Sequence, residues 1–274
     1  MDSGDSQPPD TVRCYRHPER ATALRCSRCE RPICGFCSHD SPVGQRCPQC
    51  ISGSAATRVV TARSLSTGFT PAVLTIIVLS AVVYLLQRQN PQFTVDYAHL
   101  TDLVSRGEWW RVITAAFLHS RSSLLHILFN MYALYLFGPR LERQLGAISF
   151  VGLYLSSAIA GGVAFQYLSA GGAVGASGAI FGLFGAVLVG TFPLRGTVQG
   201  AAQFRQLVLL LAINLALPFF ATGIAWEAHV GGLAMGMVVA ALWQRIPPTP
   251  GAPLLRAMVV YGLGLAALLA IVVT

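Results

Sequence analysis

The chain lacks lysine altogether and has few charged residues of any kind. Charged side chains make up 11% of its 274 residues, whereas 54% are hydrophobic and the mean hydropathy is +0.58. Soluble domains carry about a quarter of their residues as charged side chains, so this composition excludes a soluble globular fold for most of the chain. It is typical of a protein that crosses a membrane several times.

An apolar segment is also missing from residues 1–65, which are polar, charged and rich in cysteine. A cleavable signal peptide requires an apolar stretch of this kind near the amino terminus. We therefore expect no signal peptide, and the first apolar run that follows should act as an uncleaved membrane anchor.

Seven apolar runs follow this segment. Most reach the length of about 17 to 25 residues that a helix needs to span a bilayer. The second run reaches it only if the helix extends through Glu142. We therefore predict seven membrane helices. The runs are residues 71–87, 123–138, 148–168, 177–193, 206–220, 226–243 and 254–274.

Arginine is unevenly distributed between these runs. Nine arginines precede the first run and six flank alternate later loops, whereas four lie in the long connection between the first two runs. Because Arg and Lys collect in cytoplasmic segments, we predict a cytoplasmic amino terminus and an exoplasmic carboxyl terminus. This placement accounts for the net charge of +8. No basic stripe interleaved with aromatics indicates a nucleic-acid partner.

All seven cysteines precede the first run, in four pairs of metal-ligand residues that include one histidine. Such pairs wrap a tetrahedral Zn²⁺ ion and hold together a segment without an apolar core. Disulfides are the alternative, but the number of cysteines is odd and the predicted compartment is reducing. Two Zn²⁺ ions are therefore expected. The pairs are Cys14 with His17, Cys26 with Cys29, Cys34 with Cys37, and Cys47 with Cys50.

These pairs can be divided between two zinc sites in more than one way. The favoured interleaved arrangement places Cys14, His17, Cys34 and Cys37 around one ion, and Cys26, Cys29, Cys47 and Cys50 around the other. A sequential pairing uses the same ligands, and His39 is an alternative to His17. With four protein ligands, neither ion keeps a free position for a substrate. We therefore expect a structural domain or a docking module for a cytoplasmic protein partner. The spacing resembles the B-box and related cross-braced zinc fingers.

Polar side chains occur near the start of the second, fourth and sixth runs. Under the predicted topology these helices all run from outside to inside, so their first turns share the outer leaflet. Polar residues in membrane helices are costly unless they pair or meet water, which makes them functional candidates. The residues are His126, Asn130, Ser177 and His229. A hydroxyl and an imidazole at one depth indicate a nucleophile with its base, and hence proteolysis within the membrane.

Glycines should let the fourth and sixth helices approach closely enough for Ser177 and His229 to meet. Two glycines spaced four residues apart lie in each helix, which favours tight packing. They are Gly178 and Gly182, and Gly232 and Gly236.

No acidic residue is placed as an obvious third member of the site. Glu227 should point to another face of its helix than His229, and Glu142 lies at the far end of the second run. We therefore predict a dyad of Ser177 and His229. The amino-terminal N–H groups and dipole of the fourth helix favour the negative charge that develops on a scissile carbonyl.

Together these motifs resemble the rhomboid intramembrane serine proteases, from Trp109 to about Trp243. The matching elements are Gly-Glu-Trp-Trp-Arg at 107–111, Phe117-Leu118-His119, His126-x3-Asn130-Met131, Gly138, Leu141-Glu142, Gly-Ala-Ser-Gly-Ala-Ile-Phe-Gly at 175–182 and Ala-His-Val-Gly-Gly at 228–232.

The resemblance implies a role for each site residue. Ser177 is the nucleophile and His229 the general base, while His126, Asn130 and the backbone N–H of Ser177 bind the oxyanion. The Phe181 ring packs on the imidazole, and substrates carry a small residue before the scissile bond. Supporting positions are Gly175, Gly178, Gly232, Gly236, Trp110 and Arg111, of which the last two, with Trp109, also fit an interfacial anchor.

The expected fold is an all-α polytopic membrane protein with a rhomboid-like six-helix core, one further carboxy-terminal helix and a small zinc-binding domain. The expected location is a cell membrane, and the expected partners are the bilayer and transmembrane protein substrates. The predicted segments are a disordered tail at 1–12, the zinc-binding domain at 13–51, a linker at 52–68, the protease core at 69–245 and the added helix at 246–274.

Two other functions fit parts of the sequence. A catalytically silent rhomboid-like binding or chaperone protein would be expected to lack Ser177 or His229, and both are present. A transporter with a helix broken near 171–178 fits the glycines there, but we find no obvious inverted repeat and no acidic ion site in the sequence.

Overall fold

The computed structural model describes residues 12–41, 44–52, 68–220 and 222–273. The chain divides into two compact units between Ser66 and Thr67. Most of the tail at 1–12 and of the linker at 52–68 lies outside the described residues.

The first unit contains little regular structure. Strands β1 (His39–Ser41) and β2 (Gly44–Arg46) form an antiparallel hairpin, and the short helix α1 (Pro48–Ser52) follows. Its buried apolar cluster consists of Ile33 and five cysteines. A segment with so small an apolar core needs covalent or metal cross-links to fold, which agrees with the spacing of its cysteine pairs.

The second unit is helical, with one very short two-stranded sheet. Among its described residues are seven helices of 15 to 22 residues, and the shorter elements lie mainly in the long connection between the first two of them. The elements are α2 (Pro71–Gln89), α3 (Pro91–Tyr97), β3 (His99–Leu100), α4 (Thr101–Val104), α5 (Arg111–Thr114), α6 (Leu124–Leu145), α7 (Ala147–Leu168), β4 (Gly172–Ala173), α8 (Ser177–Thr191), α9 (Val198–Ala216), α10 (Trp226–Gln244) and α11 (Ala252–Val272).

Five segments are long and apolar enough to cross a membrane: α2, α7, α11, and α8 and α9 with the short 3₁₀ helices that follow them. The other two long helices are α6 and α10. These two carry polar side chains, including His126 and Asn130 in α6 and His229 in α10. The structure thus has the seven long helices expected, and α6 and α10 fall outside the five because polar and charged side chains lower their hydropathy.

Local sequence signals set several helix ends. Asn90 ends α2, and its side chain then accepts a hydrogen bond of 3.0 Å from the N–H of Gln92 at the start of α3. Gly146 separates α6 from α7 with a φ of +79°, a conformation that glycine adopts without strain. Thr197 caps α9 through its hydroxyl, which accepts from the N–H of Gly200 at 3.0 Å.

Helices α7, α8 and α10 form the centre of the second unit. Helix α8 buries most of its residues, whereas α9 buries only Gly200 and Leu207. Helix α11 packs along α7, where the hydroxyl of Ser156 donates to the carbonyl of Val260 at 2.8 Å. The central helix of this unit is therefore the one that begins at Ser177.

Glu142 joins the second helix to the first. Its buried carboxylate accepts hydrogen bonds from the N–H groups of Ala72 and Val73 at 3.0 and 2.9 Å and from the hydroxyl of Thr70. These are free donors at the start of α2, where a negative charge is favoured. Glu142 therefore has a structural role and lies away from the site at the other end of α6.

Candidate active site

Ser177 and His229 are in hydrogen-bond contact. The Oγ of Ser177, the first residue of α8, lies 2.8 Å from Nε2 of His229 in the first turn of α10. His229 is buried and Ser177 half-buried. This distance lies within the range for an O–H···N hydrogen bond, so the imidazole can take the hydroxyl proton without a conformational change.

The imidazole of His229 is oriented by an aromatic ring. Phe181, one turn into α8, stacks on it with a centroid distance of 4.2 Å and an interplanar angle of 8°. The Nδ1 atom is buried and has no hydrogen-bond partner among the described residues. Glu227 is buried in the same turn of α10, and no hydrogen bond joins it to His229 in the described part of the chain. Among the described residues, Ser177 and His229 therefore form a pair, and no third residue is hydrogen-bonded to the imidazole.

Glycines bring the two helices into backbone contact. A side chain at Gly232 would overlap the carbonyl group of Gly178, and one at Gly236 would overlap that of Gly182. A side chain at Gly178 would in turn meet the Ala228 carbonyl oxygen at 3.2 Å. The approach of α8 to α10 therefore depends on glycine at these positions, and it sets the separation of Ser177 and His229.

The segment that enters α8 is held beside the connection between α2 and α6. Gly175 has a φ of +134°, and its N–H donates to the carbonyl of Ala115 at 2.9 Å. A side chain here would begin 2.9 Å from the His126 ring and 3.7 Å from Ser177 Oγ. Gly175 is therefore required both for the backbone conformation and for the approach of His126 to the serine.

His126 presents a proton donor toward Gly175, two residues before Ser177. Its Nδ1 accepts a hydrogen bond of 3.0 Å from the N–H of Ser120. The proton of the neutral ring is consequently on Nε2, and this nitrogen is the one that faces Gly175.

Asn130 lies one helical turn after His126 on α6. Its side-chain amide donates to the carbonyl of His126, one helical turn earlier, at 2.8 Å. In this arrangement one of its two N–H groups is engaged within α6. The sequence signal located Asn130 on the same helix face as His126, but it carried no information on the hydrogen bonds that Asn130 makes.

Arg111 lies inside the fold of the long connection and not on its surface. Its guanidinium is buried, pairs with Glu108 at 2.6 Å, and donates to the carbonyls of Val95 and Ala98 at 2.7 and 2.9 Å. The adjacent Trp109 and Trp110 are exposed, as expected of an anchor. Arg111 therefore binds parts of the long connection to one another, because its donors meet carbonyls that no helix satisfies.

A small cavity of about 40 Å³ lies beside Ser177. Such a volume accommodates a few water-sized groups or a small side chain. Apart from Ser177 and His99, the residues around it are alanine, glycine and valine. His99 carried no motif signal in the sequence, since it is a single histidine far from Ser177 along the chain.

Comparison with known proteins identifies the family. The Rhomboid domain family model matches residues 106–246. YdcA of Bacillus subtilis (strain 168) is 37% identical over 145 residues, which cover 51% of this chain and 69% of YdcA. The chain belongs to the rhomboid family. This confirms the resemblance found in the motifs, and the apolar helices make this family member a multi-pass membrane protein.

Two further relatives of this rhomboid chain are named as rhomboid proteases. GluP of Bacillus subtilis (strain 168) is 35% identical over 139 residues, covering 51% of this chain but only 27% of GluP. GlpG of Haemophilus influenzae is 27% identical over 172 residues, covering 60% of this chain and 88% of GlpG. All these alignments are restricted to part of the chain, so they characterise its rhomboid domain.

The first unit contains two groups of residues that can each hold a metal ion. Cys14, His17, Cys34 and Cys37 form one group, and Cys26, Cys29, Cys47 and Cys50 form the other. This is the interleaved arrangement. His39 belongs to neither group in the described part of the chain and is exposed on β1.

The donor distances fit a tetrahedral zinc ion. Nδ1 of His17 lies 3.9, 3.4 and 3.3 Å from the sulfur atoms of Cys14, Cys34 and Cys37, and the Cys29 and Cys47 sulfurs are 3.8 Å apart. Tetrahedral Zn–S and Zn–N bonds give ligand separations of about 3.6 to 3.8 Å. Hydrogen bonds with the Cys47 and Cys29 thiols raise the pKa of Cys50 to about 12. A bound cation reverses this effect because it holds the thiolate form.

Proposed function

We propose that this chain is an intramembrane serine endopeptidase that cleaves transmembrane segments of protein substrates through a Ser177–His229 dyad. The observation that carries the proposal is the distance of 2.8 Å between Ser177 Oγ and His229 Nε2. A serine hydroxyl is a useful nucleophile near neutral pH only when a base lies this close. Neither a binding protein nor a transporter needs such a pair.

The dyad supports acyl transfer in two steps. His229 Nε2 takes the proton of Ser177 while Oγ attacks the scissile carbonyl carbon, and the resulting imidazolium then protonates the departing amine. Water, activated by the same nitrogen, releases the acyl group and restores the hydroxyl. The stack on Phe181 keeps the imidazole plane fixed while it exchanges this proton.

Negative charge on the tetrahedral intermediate meets donors around Ser177. The Nε2–H of His126 and the N–H of Ser177 at the start of α8 provide two of them. We assign Asn130 as the third, through the amide N–H that is not bonded to His126. Each donor of this kind contributes about 3 kcal/mol to transition-state stabilisation.

The substrate is a membrane-spanning helix cleaved near the outer boundary of the bilayer. Its carbonyl groups are bonded internally, so the segment must unwind before cleavage. The cavity beside Ser177 favours a small substrate side chain immediately before the scissile bond. The arginine distribution favours a cytoplasmic amino terminus, an exoplasmic carboxyl terminus and a site that opens to the outer side.

A serine-directed phosphonate tests the dyad directly. Incubated with the full chain in liposomes, the reagent should form one adduct, which peptide mass spectrometry should locate on Ser177, because only an activated hydroxyl reacts. His229→Ala should lower the labelling rate at least about a hundredfold, as expected for loss of general-base assistance. Equal labelling of the parent chain and of His229→Ala would contradict the dyad, and no labelling would favour a catalytically silent protein.

For the first unit we propose two structural Zn²⁺ ions. Three thiolates and His17 hold one, and four thiolates hold the other. The ions replace the apolar core that this unit lacks, since binding free energy is folding free energy in such domains. The exposed surface around them is the proposed contact for a cytoplasmic protein partner.

Metal analysis of the purified full chain should give about two zinc ions per molecule. His17→Ala and Cys47→Ser should each lower this value toward one, because removal of a ligand typically weakens the site that contains it. His39→Ala is the matched control and should leave the value at two. A loss of zinc in His39→Ala, with none in His17→Ala, would show that the ligand set is wrong.

A further inference from the structure

His99 is the polar side chain that faces the cavity beside Ser177. The other described residues around this cavity, apart from the serine itself, are alanine, glycine or valine. A side chain at Gly162, which also lines the cavity, would begin 3.5 Å from Nδ1 of His99. The Nδ1 edge of the imidazole therefore lies beside Gly162, at the wall of this cavity.

The backbone of His99 is tied to the segment that carries Ser177. His99 pairs with Ala173 in the β3–β4 sheet, and β4 leads into the segment that begins α8. Arg111 donates to the carbonyl of Ala98 at 2.9 Å, and the Phe165 ring meets the imidazole edge-on at 5.2 Å. His99 is thus held on both sides, and it is almost fully buried.

Gln166 determines which nitrogen of His99 carries the proton. The Gln166 amide donates both hydrogens, to the Thr101 carbonyl at 3.1 Å and to the Ser105 hydroxyl at 2.9 Å. Its oxygen is therefore an acceptor, and it lies 2.8 Å from His99 Nε2. The neutral ring must carry its proton on Nε2, which leaves Nδ1 as a pure hydrogen-bond acceptor at the cavity.

We infer that His99 is a specificity-determining residue and that it selects a serine side chain immediately before the scissile bond. This inference rests on the proposed protease function. A hydroxymethyl group is small enough for the cavity and donates a hydrogen bond to Nδ1. Alanine also fits but leaves a buried acceptor without a partner, which is unfavourable. Sites built to bind a hydroxyl group reject analogues that lack it.

The size of the cavity favours small hydroxyl side chains. About 40 Å³ holds only a few atoms. The ring of tyrosine would have to displace Val112 and Ala158, which contribute to the wall of this space. Serine is therefore preferred over alanine on chemistry and over tyrosine on size.

The test compares two substrates that differ at one position. A membrane-spanning segment with Ser or Ala before the scissile bond is cleaved by the full chain in liposomes, and the ratio of the two kcat/KM values is measured. We expect serine to be favoured about tenfold, the ratio that one hydrogen bond of about 1.4 kcal/mol gives. His99→Phe keeps a planar ring but has no acceptor, so the ratio should fall to about one.

His99→Asn is the matched control. The amide oxygen of asparagine lies close to the position of the imidazole Nδ1, so this variant should keep part of the preference for serine. Gln166→Leu removes the group that fixes the tautomer and should lower the ratio without touching the cavity wall. Only the ratio of the two kcat/KM values is compared between variants. A loss of activity that affects both substrates equally therefore does not change the result.

Two results would overturn the inference. They are a ratio near one for the parent chain and a ratio in His99→Phe equal to that of the parent. The second result, combined with slower cleavage of both substrates, would indicate a role in holding the hydrolytic water instead. Binding of the two segments to Ser177→Ala provides a readout that needs no catalysis. A preference for serine there, lost in Ser177→Ala/His99→Phe, would support the cavity assignment even if the protease function failed.

Discussion

Ser177→Ala lowers the rate of cleavage of a membrane-spanning substrate by at least about four orders of magnitude. Removal of the nucleophile of a serine protease eliminates covalent catalysis and leaves only what binding and the oxyanion donors supply. The variant loses one oxygen atom at the start of α8, so the contact of α8 with α10 is kept. We expect its thermal unfolding in detergent to match that of the parent. The cleavage rate is measured by product formation in liposomes.

Ser157→Ala is the matched control for this prediction. Ser157 is a buried serine in α7, next to Gly182 of α8, and its hydroxyl has no hydrogen-bond partner among the described residues. It therefore has the burial of a membrane serine without a base beside it. Cleavage by Ser157→Ala should stay within about threefold of the parent rate, since nothing it contacts reacts. Product formation by Ser177→Ala at a rate similar to the control would end the assignment of Ser177.

Gly232→Ala should destabilise the protein and inactivate it together. The added methyl group would overlap the carbonyl group of Gly178, and neither backbone can yield without moving a helix. Overpacking of this kind costs about 3 kcal/mol, which corresponds to a fall in Tm of about 10 °C. A shift of α10 by about 1 Å also separates His229 from Ser177 and lowers cleavage about a hundredfold.

Gly262→Ala provides the comparison. Gly262 lies in the interior of α11, and no atom lies within 4 Å of the position that its side chain would take. The same substitution at this position should change stability by no more than about 1 kcal/mol and leave cleavage intact. Circular dichroism melts and phosphonate labelling of both variants are sufficient measurements. Equal melting temperatures of the two variants would mean that the contact between α8 and α10 does not limit the stability of the protein.

The fold and the family were predictable because their signals are local in the sequence. Apolar runs indicate membrane helices one at a time, and the resemblance to rhomboids was found in short motifs around Trp110, Ser177 and His229, all within the residues that the family model matches. The sequence did not decide how the zinc ligands are grouped, since the spacing of the pairs allows two arrangements. Folding of the hairpin β1–β2 brings Cys47 back to Cys26, and this contact is not visible in spacing.

Other parts of the site depend on contacts between distant segments. His99 reaches the cavity through a two-residue strand pairing that no periodicity marks. Arg111 is buried, and its guanidinium donates to carbonyls of the long connection, which its position beside two tryptophans did not indicate. Asn130 lies on the expected helix face, and one of its amide hydrogens bonds to the His126 carbonyl within the same helix. For His99 and Arg111, the sequence identifies the residue type and only the tertiary structure identifies the partners.

The backbones of α8 and α10 touch where glycine occupies the facing positions of the two helices. The separation of the two helices at these positions consequently does not depend on any side-chain rotamer. Lipid-facing residues of α10, such as Val230 and Val238, are exposed and take no part in this backbone contact. They are free to vary as a protein adapts to bilayers of different composition, while the geometry that the chemistry requires stays constant.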